Sequence, residues 1–566
     1  MTRNPEFLNL LTAKGILKQD DLQKLNLKFQ GDAYSILTYL AKPSEEKKTE
    51  MGKLWGDSLG IAYVDLDRTL IQHQIVQKIP EKFARTNKIM PIYQLDNTVT
   101  VASASLLQPF VQREAERLTE SSISTVFSYS EDIEDAIDIE YQSSNTLSDM
   151  LDKIALSPIF QGTTKITEDQ LRKISGDQSV IEFTRGLLLL GVKERGSDIH
   201  IEPDEGAVRV RFRIDGVLQE RMKLEASLLP PLISRLKILA NLDIIERRRP
   251  QDGRITLDLS NRSIDFRFSS IPAIYGEKIV LRILGQPGKK EIRDLAELDF
   301  SSDVYAKLKK AIDSPNGILF VTGPTGSGKT TTLYSALKYL NRPGINITTI
   351  EDPIEYRLSG INQVQVNNAI NLDFASALRA FLRQDPDVIL VGEVRDLETA
   401  KIASQAALTG HLVLTTMHTN NAVQAITRLL EIGVDRSLIA PSILGVMAQR
   451  LVRRICVNCR EKYELSEDEA NSLFIWDGKS PVYFFRGKGC EQCNNTGYSG
   501  RIAIYEIFLV NSRIRELITT GASNLEIFEC AKDDGFRSLR YDGIKKVLRG
   551  LTTIDEINRV TVTDEV

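Results

Sequence analysis

Short apolar runs set against polar turns give this chain its rhythm, and the period of those runs changes along its length. Over residues 1 to about 140, strand-like and helix-like patches alternate. In "IMPIYQLDNTVTVASA" two apolar runs flank Asp96-Asn97 at the spacing of a hairpin turn, so a small α+β domain is expected. From Tyr141 to about Gln178 the composition shifts to Ser, Thr, Gly and charge, which reads as a linker containing short helices. Period two then dominates. In "AVRVRFRIDGVLQER", Val208, Val210, Phe212 and Ile214 alternate with Arg209, Arg211 and Arg213 ahead of an Asp215-Gly216 turn, predicting a strand with one buried face and one row of guanidinium groups. "GQPGKK", Gly285 to Lys290, breaks the pattern as a hinge would. From Pro315 onward the apolar strands "GILFVTG", "NITTIE", "DVILVGE" and "GHLVLTTMH" alternate with helical stretches, the signature of a parallel, doubly wound sheet.

The expected organisation is an N-terminal α+β domain at 1–140, a linker at 141–178, a second domain at 179–288, and an α/β domain at 289–566. Length agrees, since 566 residues exceed what one hydrophobic core supports. Unbroken apolar runs are as short as Leu187 to Leu190, far below the roughly 20 residues that cross a bilayer. The start has no apolar core with a small-residue cleavage site. A cytoplasmic chain with no membrane span of its own is expected, recruited to a membrane only through a partner. A net charge of -4 gives no global basic field for nucleic acid. Five cysteines in a reducing compartment point to metal binding or packing before disulfides.

The most specific motif is "GPTGSGKT", formed by Gly323, Pro324, Thr325, Gly326, Ser327, Gly328, Lys329 and Thr330. It fits G-x-x-x-x-G-K-[ST] between a strand and a helix. Glycines let backbone N–H groups converge on phosphates, Lys329 reaches the β and γ phosphates, and Thr330 can hold Mg²⁺. ATP is the expected ligand. "DVILVGEVRD" ends a buried strand at Glu393, where a carboxylate can hold the Mg²⁺ water shell. "TTIEDPIEY" supplies Glu351, Asp352 and Glu355, any one of which could polarise the attacking water. His411 and His418 bracket one strand on opposite sides of the pleat, and His418 sits at the C-terminal, ligand-side end. Transition-state charge calls for guanidinium groups, with Arg267 and Arg282 as candidates in the second domain and Arg379 and Arg383 on a helix face.

"CVNC" (Cys456, Cys459) and "CEQC" (Cys490, Cys493) enclose thirty residues. Two thiolate pairs suit a closed, structural Zn²⁺ site, with an iron–sulfur centre or a redox pair as alternatives. Cys530 reads as a packing residue.

Taken in order, "SDIHIEP", "RFRIDG", "PQDGRI", "GEKIVLRIL", the glycine loop, "TIEDPIEY", "FLRQDPDVILVGEVRDLETA", "ALTGHLVLTTMHTN" and the cysteine segment closing in "TGYSGRIAIYEI" resemble the GspE/PilB family. These are the ATPases of type II secretion and type IV pilus assembly, and the likeness is dense from about residue 180 to 510. It implies a PAS-like second domain, a RecA-like P-loop ATPase domain with a zinc-binding insertion, and a homohexameric ring. Such a ring would act on an inner-membrane platform protein and its associated membrane assembly proteins. By the same resemblance Glu393 serves Mg²⁺, Glu355 the water and His418 the γ-phosphate. Arg267 and Arg282 would approach the phosphates, and Arg379, Arg383 and Arg395 would lie near subunit contacts. The paired Arg-Leu-Gly repeats by which some relatives bind cyclic di-GMP are not found, so no such binding is expected. A nucleic-acid translocase is the competing class, disfavoured by charge and by the lack of aromatics interleaved with a basic groove.

Overall fold

The computed structural model describes residues 4–69, 71–142, 176–284, 292–464 and 483–561. The chain divides into two units, Met1–Glu291 and Ile292–Val566. Most of the expected linker, 143–175, and the "GQPGKK" break lie outside the described residues.

The first unit opens with the helices Pro5–Ala13, Gln19–Lys28, Ala33–Ala41 and Glu45–Leu59. Their shared core centres on Trp55, which meets Phe7 edge to face at 4.9 Å. A three-stranded sheet follows in the order β1 (Ile89–Leu95), β2 (Thr98–Ser103), β3 (Ser122–Phe127). Leu95 pairs with Thr98 across Asp96-Asn97, the hairpin that the sequence predicts.

Six strands then form one antiparallel sheet: β4 (Asp198–Asp204), β5 (Ala207–Ile214), β6 (Val217–Glu225), β7 (Gln251–Asp258), β8 (Ser263–Ala273) and β9 (Gly276–Leu284), in the order β6-β5-β4-β9-β8-β7. Asp215 and Gly216, both at positive φ (47° and 86°), turn β5 into β6, a pairing that suits the right-handed strand twist. Val208, Val210 and Phe212 are fully buried and share a core with the helices Gln178–Lys193 and Leu229–Leu239. The opposite face carries the expected row of guanidinium groups, and each has an acidic partner. Strand β4 lies beside β5 and answers it with acids: Asp204 meets Arg209 at 3.3 Å, Glu202 meets Arg211 at 2.7 Å, and Asp198 meets Arg213 at 3.5 Å. The acids are spaced at even positions along "SDIHIEPD", so pleating puts them all toward the arginines.

Within this unit the β7–β8 turn docks on the acidic helix Ser130–Gln142. Ser260 donates its N–H and hydroxyl to Asp138 at 2.9 and 2.6 Å, and the Asn261 N–H reaches Asp135 at 2.9 Å. Arg262 grips both oxygens of Asp67 at 2.8 and 2.9 Å. Bidentate geometry makes this the strongest kind of ion pair.

The second unit carries a seven-stranded sheet of β10 (Gly317–Thr322), β11 (Ile347–Glu351), β12 (Asn362–Gln365), β13 (Val388–Val391), β14 (Leu412–Met417), β15 (Ile443–Ile455) and β18 (Tyr498–Leu509), in the order β12-β11-β13-β14-β10-β15-β18. All pairings are parallel except β15 with β18. Strand β10 sends Ile318 and Phe320 into one apolar core and Leu319 and Val321 into another, so both faces are covered and the run reads as continuously apolar. The small hairpin β16 (Arg460–Glu464) with β17 (Tyr483–Gly487) interrupts the chain between β15 and β18. Cys530 is buried in the first of these cores, as expected of a packing residue.

Replacing Arg262 with Ala should free the β7–β8 turn from its helix. Hydrogen exchange at the Ser260 and Asn261 amides is expected to rise roughly ten-fold, matching the loss of a charge-assisted contact; unchanged exchange would show that the turn is held by other contacts.

Candidate active site

Strand β10 is buried to its last residue, and the chain must then turn sharply to start the helix Lys329–Leu340. Gly323 (φ 145°), Gly326 (78°) and Gly328 (91°) make that turn. A Cβ on Gly323 would fall 2.6 Å from both the Gln449 carbonyl and the Ser327 hydroxyl, so no larger residue fits. Strand β15 braces the loop from its neighbouring position in the sheet. The Gln449 side chain, buried, donates to the Ser327 carbonyl at 2.8 Å and accepts from the Thr332 hydroxyl at 2.9 Å. Arg450 donates to the Asn420 carbonyl at 2.6 Å. Neither residue stands out in the sequence, because their role comes from β15 pairing with β10 across more than a hundred residues.

Lys329 donates to the carbonyls of Gly323 and Pro324 at 2.8 and 3.2 Å. Burial lowers its pKa to about 8, against the pull of the nearby Glu393 carboxylate. Thr330 is exposed in the first helical turn. The Ser327 hydroxyl is buried with no hydrogen-bond partner among the described residues. An orphaned hydroxyl, a helix start and a desolvated ammonium in one loop fit a polyphosphate and its divalent cation.

Glu393 lies two residues past β13, at the C-terminal sheet edge. It takes the Arg395 Nε at 2.5 Å and lies 3.8 Å from His418 Nε2, just past the end of β14. Burial lowers the His418 pKa, Lys329 adds to the effect, and Glu393 opposes it. Lys329, Glu393 and His418 therefore share one electrostatic neighbourhood. His411 is instead structural, its Nδ1 lying 2.9 Å from the Ala406 carbonyl.

Of the three acids in "TTIEDPIEY", the structure removes Glu351 from contention. It is buried and bonded to the hydroxyls of Tyr334 and Thr349 and to the Gln363 amide. Asp352 and Glu355 are exposed beyond the strand. Arg379 pairs with Glu398, and Arg383, past the end of the helix Phe374–Phe381, donates to the Arg379 carbonyl at 2.8 Å.

In the first unit, Arg267 and Arg282 occupy directly opposed positions on β8 and β9, and Arg254 of β7 continues the line beside Arg267. Acids answer the outer two of these three cations, Asp265 meeting Arg254 at 2.6 Å and Asp198 meeting Arg282 at 3.0 Å, while Arg267 between them has no ion-pair partner among the described residues. Arg254, inside "PQDGRI", joins this row only through strand register, which the sequence does not display.

The four sulfurs of Cys456, Cys459, Cys490 and Cys493 lie within 4.8 Å of one another. Cys456 and Cys490 are 3.8 Å apart, as are Cys459 and Cys493, while Cys490 and Cys493 are 3.7 Å apart. Disulfides need about 2.05 Å. A tetrahedron with metal–sulfur bonds of about 2.3 Å has an edge of about 3.8 Å. Burial raises the Cys493 thiol, but N–H donors of Cys490 and Gly497, each 3.2 Å from its sulfur, outweigh that and bring it to about 7.

A strand, glycine loop and helix, with a carboxylate at the same sheet edge past β13, one strand removed from β10, define a protein of the P-loop class. The description "Type II/IV secretion system protein" matches residues 173–559, and "MshEN domain" matches residues 59–145. The type IV pilus assembly ATPase PilB of Myxococcus xanthus is 38% identical over 564 residues, 98% of each chain. The type II secretion system protein HxcR of Pseudomonas aeruginosa is 49% identical over 383 residues, 68% of this chain and 77% of that one. The crystal structure of the pilus retraction motor PilT with bound ADP, 27% identical, covers 67% of this chain and 96% of its own at a TM-score of 0.44, too low for its details to be carried across. The chain belongs to the type II/IV secretion system protein family, the GspE/PilB ATPases that its motifs resemble.

With Lys329 near 8 in the free protein, its positive charge is complete below that pH. A bound polyphosphate raises the lysine pKa again, so binding takes up a proton at higher pH. Affinity for ADP should hold from pH 7 to about 8 and fall above it, as followed by calorimetry; a flat profile to pH 9.5 would exclude Lys329 as the charged contact.

Proposed function

We propose that this chain is an ATP-hydrolysing cytoplasmic motor of a type IV pilus assembly or type II secretion system. The observation that carries the reading is the meeting of Lys329, Glu393 and His418 beside a braced glycine loop. Family membership supports it, as do relatives named for both machines.

In this reading the backbone amides of Gly323 to Thr330 and the Lys329 ammonium bind the phosphates. Thr330 and Glu393 would hold Mg²⁺, which when bound would neutralise phosphate charge. Glu355 accepts a proton from the attacking water as the β–γ bridging oxygen leaves with ADP. His418 senses the γ-phosphate, and Arg267 and Arg282 meet the transition-state charge. The place of Arg267 between Arg254 and Arg282, with no acid of its own among the described residues, supports an anion there.

Domains would run as 1–140, 179–288 with a PAS-like fold, and 289–566 with a RecA-like fold, the last bearing a zinc insertion over 456–493. The sulfur spacing favours Zn²⁺ over a disulfide or redox pair. Six copies would form a ring that pushes on an inner-membrane platform protein and its associated membrane assembly proteins, with recruitment to that membrane through partners. Among the described residues no helix is long and apolar enough to cross a membrane.

Lys329→Ala should abolish ATP turnover, a loss of at least a hundred-fold in kcat, in a steady-state assay run with and without single-stranded DNA. Undiminished turnover would refute the site, and strong salt-sensitive stimulation by DNA would favour a translocase instead.

Metal analysis of the purified chain should find one zinc per protomer. Cys459→Ser should lose it and lower the Tm of the second unit; iron in its place would point to a cluster.

A further inference from the structure

The sheet of the first unit holds its cations in two different ways. Glu202 takes the terminal NH2 of Arg211 at 2.7 Å, and Lys278 at 3.0 Å, so the tip of that guanidinium is occupied. Asp198 behaves otherwise. Its Oδ2 accepts from the Ser197 hydroxyl at 2.8 Å and faces the Arg213 Nε at 3.5 Å. Its Oδ1 is left to Arg282, which donates from Nε at 3.0 Å.

Bonding through Nε fixes the plane of a guanidinium, and no terminal nitrogen of Arg282 is taken by this acid. The Asp198 side chain is only 8% exposed, whereas that of Arg282 is 56% exposed. A buried, anchored carboxylate thus holds the root of an arginine whose tip is in solvent. Strand order adds a reason for the anchor. Arg282 stands beside Arg267 on one neighbouring strand and Asp198 on the other, so repulsion from Arg267 and attraction to Asp198 push its side chain the same way. Residue 198 is the point on β4 where Arg213 of β5 and Arg282 of β9 both come into register.

We propose that Asp198 is the positioning residue of Arg282, gripping it by Nε so that the outer, terminal edge of the guanidinium is presented to a phosphate oxyanion. This rests on the reading of Arg282 as a phosphate-contacting arginine. Asp198 touches no substrate and acts only through that side chain. An arginine with one fixed orientation loses less side-chain freedom on meeting the transition state, which shows in kcat more than in KM.

The test is ATP turnover by the full chain carrying Asp198→Asn, Arg282→Ala, both together, or Glu202→Gln. Asp198→Asn should lower kcat roughly ten-fold with KM changed by less than about two-fold. In the Arg282→Ala background it should cause no further loss. Glu202→Gln strips a neighbouring buried acid from the same strand and should leave kcat within about two-fold, even if both acid variants lower Tm alike. If Arg282→Ala alone leaves turnover intact, the phosphate reading of Arg282 is wrong and the proposal falls with it. If Arg282→Ala impairs turnover but Asp198→Asn is silent, or its effect adds in full to that of Arg282→Ala, the positioning role is overturned while the phosphate reading survives. Equal kcat losses in Asp198→Asn and Glu202→Gln would also overturn it, assigning the effect to sheet integrity.

Discussion

The close approach of Gly323 to Gln449 is the constraint on which the candidate site depends. Strand β10 is paired by β14 on one side and β15 on the other, and the chain leaves it through a loop that packs directly on β15. With 2.6 Å between a notional Cβ and the Gln449 carbonyl, the glycine is required by space as much as by its φ. Gln449 then ties the loop to the helix behind it through Ser327 and Thr332. The amides that face a phosphate are therefore held before any ligand arrives, which is the condition for preorganised electrostatics.

Charge in this protein is arranged by strand register more than by net amount. The overall excess is four negative charges, yet the first unit aligns Arg254, Arg267 and Arg282 on adjacent strands and sets Asp198 beside the last of them. These pairs join buried carboxylates to arginines that stay partly in water, which limits what they add to stability. Their value here is geometric, since each carboxylate on β4 decides which end of its guanidinium is occupied. The second unit follows the same logic on a smaller scale, where Glu393 sits among Lys329, Arg395 and His418 and keeps two cations and an imidazole at one sheet edge.

Local patterns were legible wherever a residue's job depends on its chain neighbours. The glycine loop, the Asp96-Asn97 and Asp215-Gly216 turns and the CxxC pairs each occupy a few consecutive positions, and each has the expected conformation. The alternation of β5 marked its buried face correctly, but not what stands opposite its arginines, because β4 supplies those acids from a separate segment. Among the acids at the end of β11 and just past it, the residues alone left Glu351, Asp352 and Glu355 equivalent, and only the family resemblance singled out Glu355. Burial beside Tyr334, Thr349 and Gln363 separated Glu351 from the others.

The amino-acid order alone determined the class of chemistry and the local run of strands and turns, since glycine loops and period-two strands are written in contiguous residues. Tertiary structure decided which distant side chains meet: Gln449 under the loop, His418 beside Glu393, Asp198 on the root of Arg282, and four sulfurs drawn to 3.7 to 3.8 Å for the measured pairs. The physical reason is that contacts between strands depend on sheet order and register, and β15 next to β10, or β9 next to β4, follows from packing of the whole core and from no local signal.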